Sequence, residues 1–247
     1  MVKLAKTNNI RRAIRIDEWE ELSVPTVIKT TEAIDSNRLE EAKSLCQYIV
    51  TEGKGVHDVL CDWIWNLLTY VAETEGEDAV YKACLATQSG WMMKRTWKAF
   101  SRMSVKEQIY ISMELMRSHR GGPCQLGETP IVEEEDRYVL IFDPCGSGGR
   151  MRRGDPVDGT PPRTRAPYNF GVTKKAYPWS FGLKEVPYYC IHCCVNEILC
   201  IEWGGYPLWV TEYNSDPDKP CAWVFYKHSE LIPEKYFTRV GKSKPPS

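Results

Sequence analysis

The sequence predicts an α+β protein in which an N-terminal helical bundle packs on a C-terminal α/β domain with a small, mainly antiparallel sheet. Apolar residues recur at helical spacing through most of the first 120 residues. After Gly122, Pro and Gly become frequent, and the apolar runs become shorter and richer in aromatic and β-branched residues. The 247 residues, 43% of them hydrophobic, are enough for a substantial core. We therefore predict a helical region over residues 1–122 and an α/β domain over residues 123–247.

The helical region begins with a predicted helix over residues 35–50, with Ser36 as its N-cap and with Gly53 and Gly55 ending it. A second helix is predicted over residues 56–75, because its apolar residues follow the i, i+3, i+4 pattern. These residues are predicted to form the buried face: Val59, Leu60, Trp63, Ile64, Leu67, Leu68 and Val71. Shorter helices are predicted over residues 77–86, 90–100 and 105–117, and the last is ended by Gly121, Gly122 and Pro123.

The second half reads as short strands around one helix. The run Tyr138 to Phe142 suits a buried strand, and it ends in the glycine-rich loop 143–149. Residues 150–167, rich in Arg, Pro and Gly, are predicted to be irregular. Residues 189–203 have helical spacing, whereas residues 208–213 and 222–226 are predicted to be strands joined by the turn 214–220.

Composition and charge exclude several classes of function. Lys and Arg number 32 against 33 Asp and Glu, so the net charge of −1 gives no general attraction to nucleic acid or anionic lipid. No apolar run of about 18 residues predicts a membrane span, and the N-terminus has no signal-peptide pattern. We therefore expect a cytoplasmic protein whose ten cysteines are reduced thiols.

Four cysteines in the second half predict a zinc site. Cys190 and Cys193 form a C-x-x-C pair, a spacing that lets two thiolates reach one tetrahedral zinc. Cys145 and Cys221 lie at the ends of predicted strands, from which a loop can bring their side chains to the same point. Inert core thiols, a thiol nucleophile and a redox pair stay open as alternatives. Cys46, Cys61 and Cys84 lie in helical patterns and are assigned to packing.

Three residues near these cysteines are candidates for proton transfer. His192 lies inside the C-x-x-C pair, where it could be a zinc ligand in place of Cys190, a general base or only a hydrogen-bonding neighbour. Glu197 lies four residues after Cys193, on the same helix face, although an exposed helix charge is the alternative. Asp143, two residues before Cys145, could take a proton from metal-bound water or simply cap the turn. His57, His119 and His228 are predicted to be surface groups.

The loop Gly146-Ser-Gly-Gly149 lacks the pattern of a P-loop or a dinucleotide fingerprint. Next to it, Arg150 and Arg152 could clamp a substrate carboxylate, with a solvated basic loop as the alternative. The aromatic residues of the C-terminal elements, including Trp203 and Trp223, could form either core or the wall of a substrate pocket.

The order of these elements gives a loose resemblance over residues 138–236. A strand, a Cys-bearing helix start, Gly204-Gly205, a strand with Glu212, and Cys221 on a strand resemble the 4-vinyl reductase-type small-molecule-binding domains. The arrangement is also similar to the L-2-amino-thiazoline-4-carboxylate hydrolase-like proteins, which place helices before such a unit. The first resemblance implies a zinc ligand at Cys190 or Cys193 and another at Cys221. Glu212 and Tyr213 stand where that family has Glu-x-x-Cys, so Cys145 is the substitute candidate.

Together these observations predict a zinc-dependent hydrolase that cleaves a C–N bond of a small carboxylate-bearing or aromatic compound. Zn²⁺ held by Cys145, Cys190, Cys193 and Cys221 would polarise the substrate and acidify a bound water. The alternative is a non-enzymatic small-molecule-binding module in which four thiolates close the zinc shell. The expected partner is a small-molecule substrate, neither nucleic acid nor a membrane is expected, and a homo-oligomer stays open.

Overall fold

A computed structural model of the chain describes residues 2–7, 10–119 and 129–246, and it confirms the α+β class. Its helices are α1 (Trp19–Leu22), α2 (Thr26–Asp35), α3 (Leu39–Glu75), α4 (Glu77–Gln88), α5 (Trp91–Phe100), α6 (Val105–Ser118), α7 (Gly148–Arg153), α8 (Ile191–Gly204) and α9 (Lys235–Thr238). Its strands are β1 (Leu4–Thr7), β2 (Ile10–Arg15), β3 (Ile131–Glu133), β4 (Arg137–Phe142), β5 (Val210–Glu212) and β6 (Cys221–Tyr226). Single 3₁₀ turns occur at Pro178–Ser180, Tyr188–Cys190 and Ser229–Leu231.

Helix α3 is continuous where the sequence predicts two helices separated by Gly53 and Gly55. A Gly within a helix destabilises it by about 0.5–1 kcal/mol relative to Ala, and tertiary contacts can offset this loss. At Gly55 such a contact is present: a Cβ there would lie 3.1 Å from the Arg12 guanidinium, and Arg12 donates to the carbonyl of Thr51. The helix therefore runs through both glycines while the β1–β2 hairpin packs against it. This hairpin, which lies in the region predicted to be helical, was not predicted.

The face of α3 that turns inward is not the predicted one. The predicted apolar face is largely exposed, with Trp63 at 66% and Leu67 at 52% of their full accessible surface. The core side is formed instead by a mixed set of residues: Thr51, Lys54, Asp58, Cys61, Trp65, Leu68 and Thr69. Of the residues predicted to be buried, Leu68 is buried and Val71 packs on the core. The prediction is wrong because polar groups of the second half select the other face of the helix.

The four-stranded antiparallel sheet has the order β3-β4-β6-β5 and separates two apolar cores. On one side, α6 packs on alternate residues of β4, namely Tyr138, Leu140 and Phe142. On the other side, α8 joins α3 and α4 in the larger core, whose members include Trp65, Val80 and Ile198. The helices before residue 120 thus share their core with the second half. The predicted boundary at residue 122 lies outside the described residues.

Candidate functional site

The glycine-rich loop at the start of α7 packs against the end of α6 and against the residues that precede α8. A Cβ on Gly146 would lie 1.2 Å from the carbonyl oxygen of His119, at the end of α6. A Cβ on Gly148 would lie 2.5 Å from the Cys190 sulfur, and one on Gly149 would lie 2.9 Å from the Cys145 sulfur. These positions therefore require glycine for close packing of the elements around the loop.

The four predicted zinc ligands lie in one neighbourhood around Arg152. Cys145, Cys190, Cys193 and Cys221, which we call the thiol group, are close enough to influence one another's ionisation. The Arg152 guanidinium is 3.7 Å from the Cys221 sulfur and donates to the Tyr213 hydroxyl at 2.8 Å. Burial raises the pKa values of Cys190, Cys193 and Cys221, so these thiols are neutral at pH 7.

The spacing of the thiol group differs from that of a tetrahedral zinc site. Ligands 2.3 Å from one zinc lie about 3.8 Å from one another. Within the described ranges, the one set of three or more His, Cys, Asp or Glu ligand atoms within 4.8 Å of one another is Asp58, Asp155 and Asp158. Zinc in the thiol group would require the sulfurs to move closer together. The zinc site stays a prediction.

Glu197 is a buried residue that links α8 to neighbouring elements. It is 1% exposed, so the alternative of an exposed helix charge is wrong. Its carboxylate accepts hydrogen bonds from Arg239 at 2.7 and 3.0 Å and from the Thr211 backbone N–H at 2.5 Å. Burial raises its pKa despite these partners. The contacts engage Glu197 in a structural ion pair rather than leave it free beside the thiols.

The other two proton-transfer candidates have different surroundings. Asp143 lies in the turn after β4, its side chain is 58% exposed, and it pairs with Arg153 at 2.6 Å. This is the turn-residue role that the sequence left open. His192 Nδ1 lies 2.5 Å from the Tyr189 carbonyl and Nε2 lies 3.4 Å from the Cys193 sulfur. Burial lowers the pKa of His192, so its imidazole is neutral at pH 7 and can accept a proton.

The residues predicted to bind substrate separate into three places. Arg150 is completely buried and forms ion pairs with Asp58 and Asp155, so it is not a solvated basic residue and its guanidinium is already occupied. Arg152 is 6% exposed, and its Nε has no hydrogen-bond partner in the described part of the chain. Trp203 packs edge-on against Trp97 at 5.9 Å, and Trp223 contacts Phe142 at 5.0 Å in the smaller core.

A second group of reactive side chains lies on the inner face of α3. His57 Nε2 is 3.7 Å from the Cys61 sulfur, and His57 Nδ1 is 3.1 Å from the Asp58 carboxylate. The Tyr189 hydroxyl lies 3.2 Å from the same sulfur. We call His57, Asp58 and Cys61 the α3 triad. This chain of thiol, imidazole and carboxylate is the arrangement that activates a cysteine nucleophile.

Asp58 is held in place by two buried cations. Lys54 donates to Asp58 at 2.6 Å and also pairs with Asp155 and Asp158, while Arg150 pairs with Asp58 and Asp155. The three aspartates could hold a metal ion by their mutual distances, but Lys54, Arg150 and Arg12, which pairs with Asp158, already neutralise them. The network is therefore an ion-pair cluster that fixes the Asp58 carboxylate beside His57.

The ionisation of the α3 triad follows from these contacts. Hydrogen bonds to Asp58 and Cys61 raise the pKa of His57 from 6.5 to about 9 despite partial burial. Burial alone would raise the pKa of Asp58, but hydrogen bonds from His57 and Arg150 outweigh it and hold that pKa well below its usual range. Burial raises the pKa of Tyr189, which keeps its hydroxyl protonated and able to donate.

The sequence pattern predicts a surface position for His57 and a packing role for Cys61. In the structure, the His57 side chain is 23% exposed, and it contacts the His119 ring, the Arg150 guanidinium and the Asp58 carboxylate. One signal was available: His57 and Cys61 are four residues apart in a helical pattern, which places them on one face. The sequence could not indicate that this face turns inward toward Tyr189 and Arg150.

Comparison with known proteins found no matching family model, no matching curated protein and no matching solved structure. The resemblance to the vinyl-reductase-type and hydrolase-like families therefore stays a prediction. In the described part of the chain, no helix combines the length and the apolar character needed to cross a bilayer.

Proposed function

We propose that the protein is a hydrolase that cleaves a C–N bond in a small carboxylate-bearing compound, with Cys61 as the nucleophile. The observation that carries this proposal is the contact chain from the Cys61 sulfur through the His57 imidazole to the Asp58 carboxylate. A thiol beside a positioned base is activated by transfer of its proton to that base. The sequence prediction of C–N hydrolysis is kept, whereas the proposed nucleophile is new.

Each residue of the α3 triad has a defined part in the proposed reaction. His57 Nε2 takes the Cys61 proton, and Asp58 stabilises the imidazolium through Nδ1. The thiolate attacks the electrophilic carbon, a C–S bond forms, and the C–N bond breaks as the amine leaves with the proton from His57. For an amide, this intermediate is a thioester. Water attacks it with His57 as base, the C–S bond breaks, the acid is released, and the sulfur takes back the proton from His57.

The charge balance of the cluster supports this use of His57. Arg12, Lys54 and Arg150 carry three positive charges, which match the three carboxylates of Asp58, Asp155 and Asp158. A protonated His57 therefore adds one uncompensated positive charge beside Cys61. The protonated imidazole can therefore stabilise negative charge that develops on the sulfur during nucleophilic attack.

The surroundings of Arg152 support the proposal that the substrate carries a carboxylate. A buried guanidinium is costly unless an anion pairs with it. No carboxylate of the described residues lies within 4.0 Å of Arg152, and its Nε has no hydrogen-bond partner among them. Cys190 lies near both Arg152 and Cys61, since both influence its ionisation. Arg152 is therefore the candidate for binding the substrate carboxylate near the α3 triad.

The experiment compares wild type with Cys61→Ser and Cys84→Ser on carboxylate-bearing amides, ureas and cyclic amidines, with amine release as the readout. Cys61 and Cys84 are equally buried, at 5% exposure, on neighbouring helices, so the second variant is a matched control. We expect Cys61→Ser to lower kcat/KM by about 10³-fold or more and Cys84→Ser to leave it within a few-fold. Equal activity in the two variants would contradict the proposal.

A second measurement tests the thiol–imidazole pair without a substrate. Site-resolved alkylation by iodoacetamide should label Cys61 faster in wild type than in His57→Gln, because the variant lacks the base. His228→Gln, which changes an exposed histidine, is the control and should leave the rate unchanged. An unchanged Cys61 rate in His57→Gln would show that the imidazole does not activate this thiol.

A further inference from the structure

The outer face of α3 is an apolar surface that no other described part of the chain covers. Among the most exposed large residues of the chain, Val56, Trp63 and Tyr70 keep 69%, 66% and 63% of their accessible surface. We infer that this face is the interface of a homodimer in which α3 packs antiparallel against α3 of a second copy. We call it the α3 stripe, and its apolar members are Ile49, Val56, Val59, Leu60, Trp63, Ile64, Leu67 and Tyr70.

The spacing of the stripe fits a helix as its partner. Val56, Leu60, Trp63, Leu67 and Tyr70 are separated by four, three, four and three residues, which is the a/d repeat of a coiled coil. Val59 and Ile64 lie on either side of this line and widen the apolar face. The buried residues Asp58, Cys61, Trp65 and Leu68 occupy the opposite side of the helix. One side of α3 therefore forms the monomer core while the other is patterned for a second helix.

The charge and area of the stripe fit a second copy of the chain. From residue 55 to residue 72, α3 contains no Lys or Arg, and its two acidic residues, Asp58 and Asp62, pair with arginines of the same chain. At roughly 150–250 Å² for each large side chain, the stripe exposes about 900 Å². A stable interface buries about 800 Å² per partner. A twofold pairing of this one surface offers an apolar area of that order on both sides without requiring opposite charges.

The side-chain sizes favour an antiparallel register. With the twofold axis between Cys61 and Asp62, the a and d positions pair as Leu60 with Trp63 and Val56 with Leu67 of the other copy. The same register places Gly53 opposite Tyr70, and a Cβ at Gly53 would meet nothing within 4 Å in its own chain. In a parallel register Gly53 would face Gly53 and Trp63 would face Trp63, which leaves a void at one layer and crowds another.

The first experiment measures the mass of the full chain by sedimentation at micromolar concentration. We expect twice the chain mass of 28.4 kDa, about 57 kDa, for wild type. Leu67→Glu should halve the mass, because it places a charge in the apolar layer where Leu67 packs on Val56 of the other copy. Leu231→Glu, a matched change of an exposed leucine far along the chain, should leave the dimer intact. Circular dichroism shows whether each variant is folded, and Tyr70→Glu provides a second interface variant.

The second experiment tests the register by oxidative cross-linking. In the double variant Val56→Cys, Leu67→Cys, the antiparallel register brings residue 56 of one copy to residue 67 of the other, so a covalent dimer should form. Eleven helical residues separate these positions by about 16 Å, which prevents a bridge within one chain. Each single variant should cross-link no more than wild type. Covalent dimers of Val56→Cys alone would overturn the antiparallel register, and a monomeric wild type or a dimeric Leu67→Glu would overturn the interface.

Discussion

Arg150 and Arg152 are two buried arginines on the same short helix, and their surroundings differ. Arg150 pairs with Asp58 and Asp155, so its charge is fully compensated. Arg152 lies among three thiols and the Tyr213 hydroxyl, with no carboxylate of the described residues within ion-pair distance. The first arginine therefore serves the folded structure, and the second is left with a charge that an anionic ligand can neutralise.

Two groups of cysteines also differ in their surroundings. The C-x-x-C pair makes the thiol group the predicted site in the sequence. In the structure, burial raises the pKa of Cys190 and Cys193, so both thiols stay protonated at pH 7. Cys61 has no motif around it, but it contacts an imidazole that a buried carboxylate holds in place. What decides reactivity is the partner of the sulfur in space rather than the spacing of cysteines along the chain.

The largest expected effect is on the stability of the Arg150 network. Arg150→Met leaves Asp58 and Asp155 buried with one cation fewer, and we expect a loss of about 3–5 kcal/mol in the free energy of unfolding. Arg152→Met removes a charge with no acidic partner and should change that free energy by about 1 kcal/mol or less. Chemical denaturation of both variants measures the difference. Equal losses would show that Arg152 has an acidic partner.

The next largest effect is the pH dependence of the free energy of unfolding. The pKa of His57 is raised from 6.5 to about 9 in the folded state, so protonated His57 stabilises the fold. This contribution is complete below about pH 6.5 and is lost as the pH rises through about 9. We expect wild type to lose at most about 3 kcal/mol across this window. His57→Gln should show a smaller decrease over the same range, and an identical pH profile would contradict the pairing with Asp58 and Cys61.

The smallest expected effect is that of metal removal. Because the described thiols do not provide three ligand atoms within 4.8 Å of one another, we expect a chelator to leave the melting temperature unchanged. Elemental analysis of protein purified without chelator provides the second readout. One zinc per chain, with a large destabilisation on chelation, would instead support the thiolate site that the sequence predicts and the loss of several kcal/mol expected for a structural zinc.

Much of the fold could be predicted because local patterns carry it. The helices over residues 77–88, 91–100 and 105–118 and the strand over residues 137–142 lie within a few residues of their predicted positions. Periodicity predicts such elements when one face is buried and no conflicting contact intervenes. The continuity of α3 through Gly53 and Gly55 could not be predicted, because contacts with the β1–β2 hairpin offset the cost of these glycines.

Sequence patterns could predict the common neighbourhood of the thiol group but not the α3 triad. The sequence brought Cys145, Cys190, Cys193 and Cys221 together, and they do share one neighbourhood. It did not assign a role to Asp58, because an aspartate becomes a positioning group only when Lys54, Arg150 and His57 surround it. Arg150 comes from a distant part of the chain, so no local sequence pattern indicates that these residues meet.

By itself, the sequence determined the α+β class, the helical periodicity of α3 and the apolar character of its stripe, since all three depend on residue order alone. Only the tertiary structure decided which side of α3 faces the core. Ion pairs and hydrogen bonds from Arg150, Trp65 and Tyr189 turn the side with Asp58 and Cys61 inward. Buried charges must be paired, and the partners of Asp58 lie inside the monomer. An apolar stripe can instead be buried by a second molecule. For this reason the polar side of α3 faces the core.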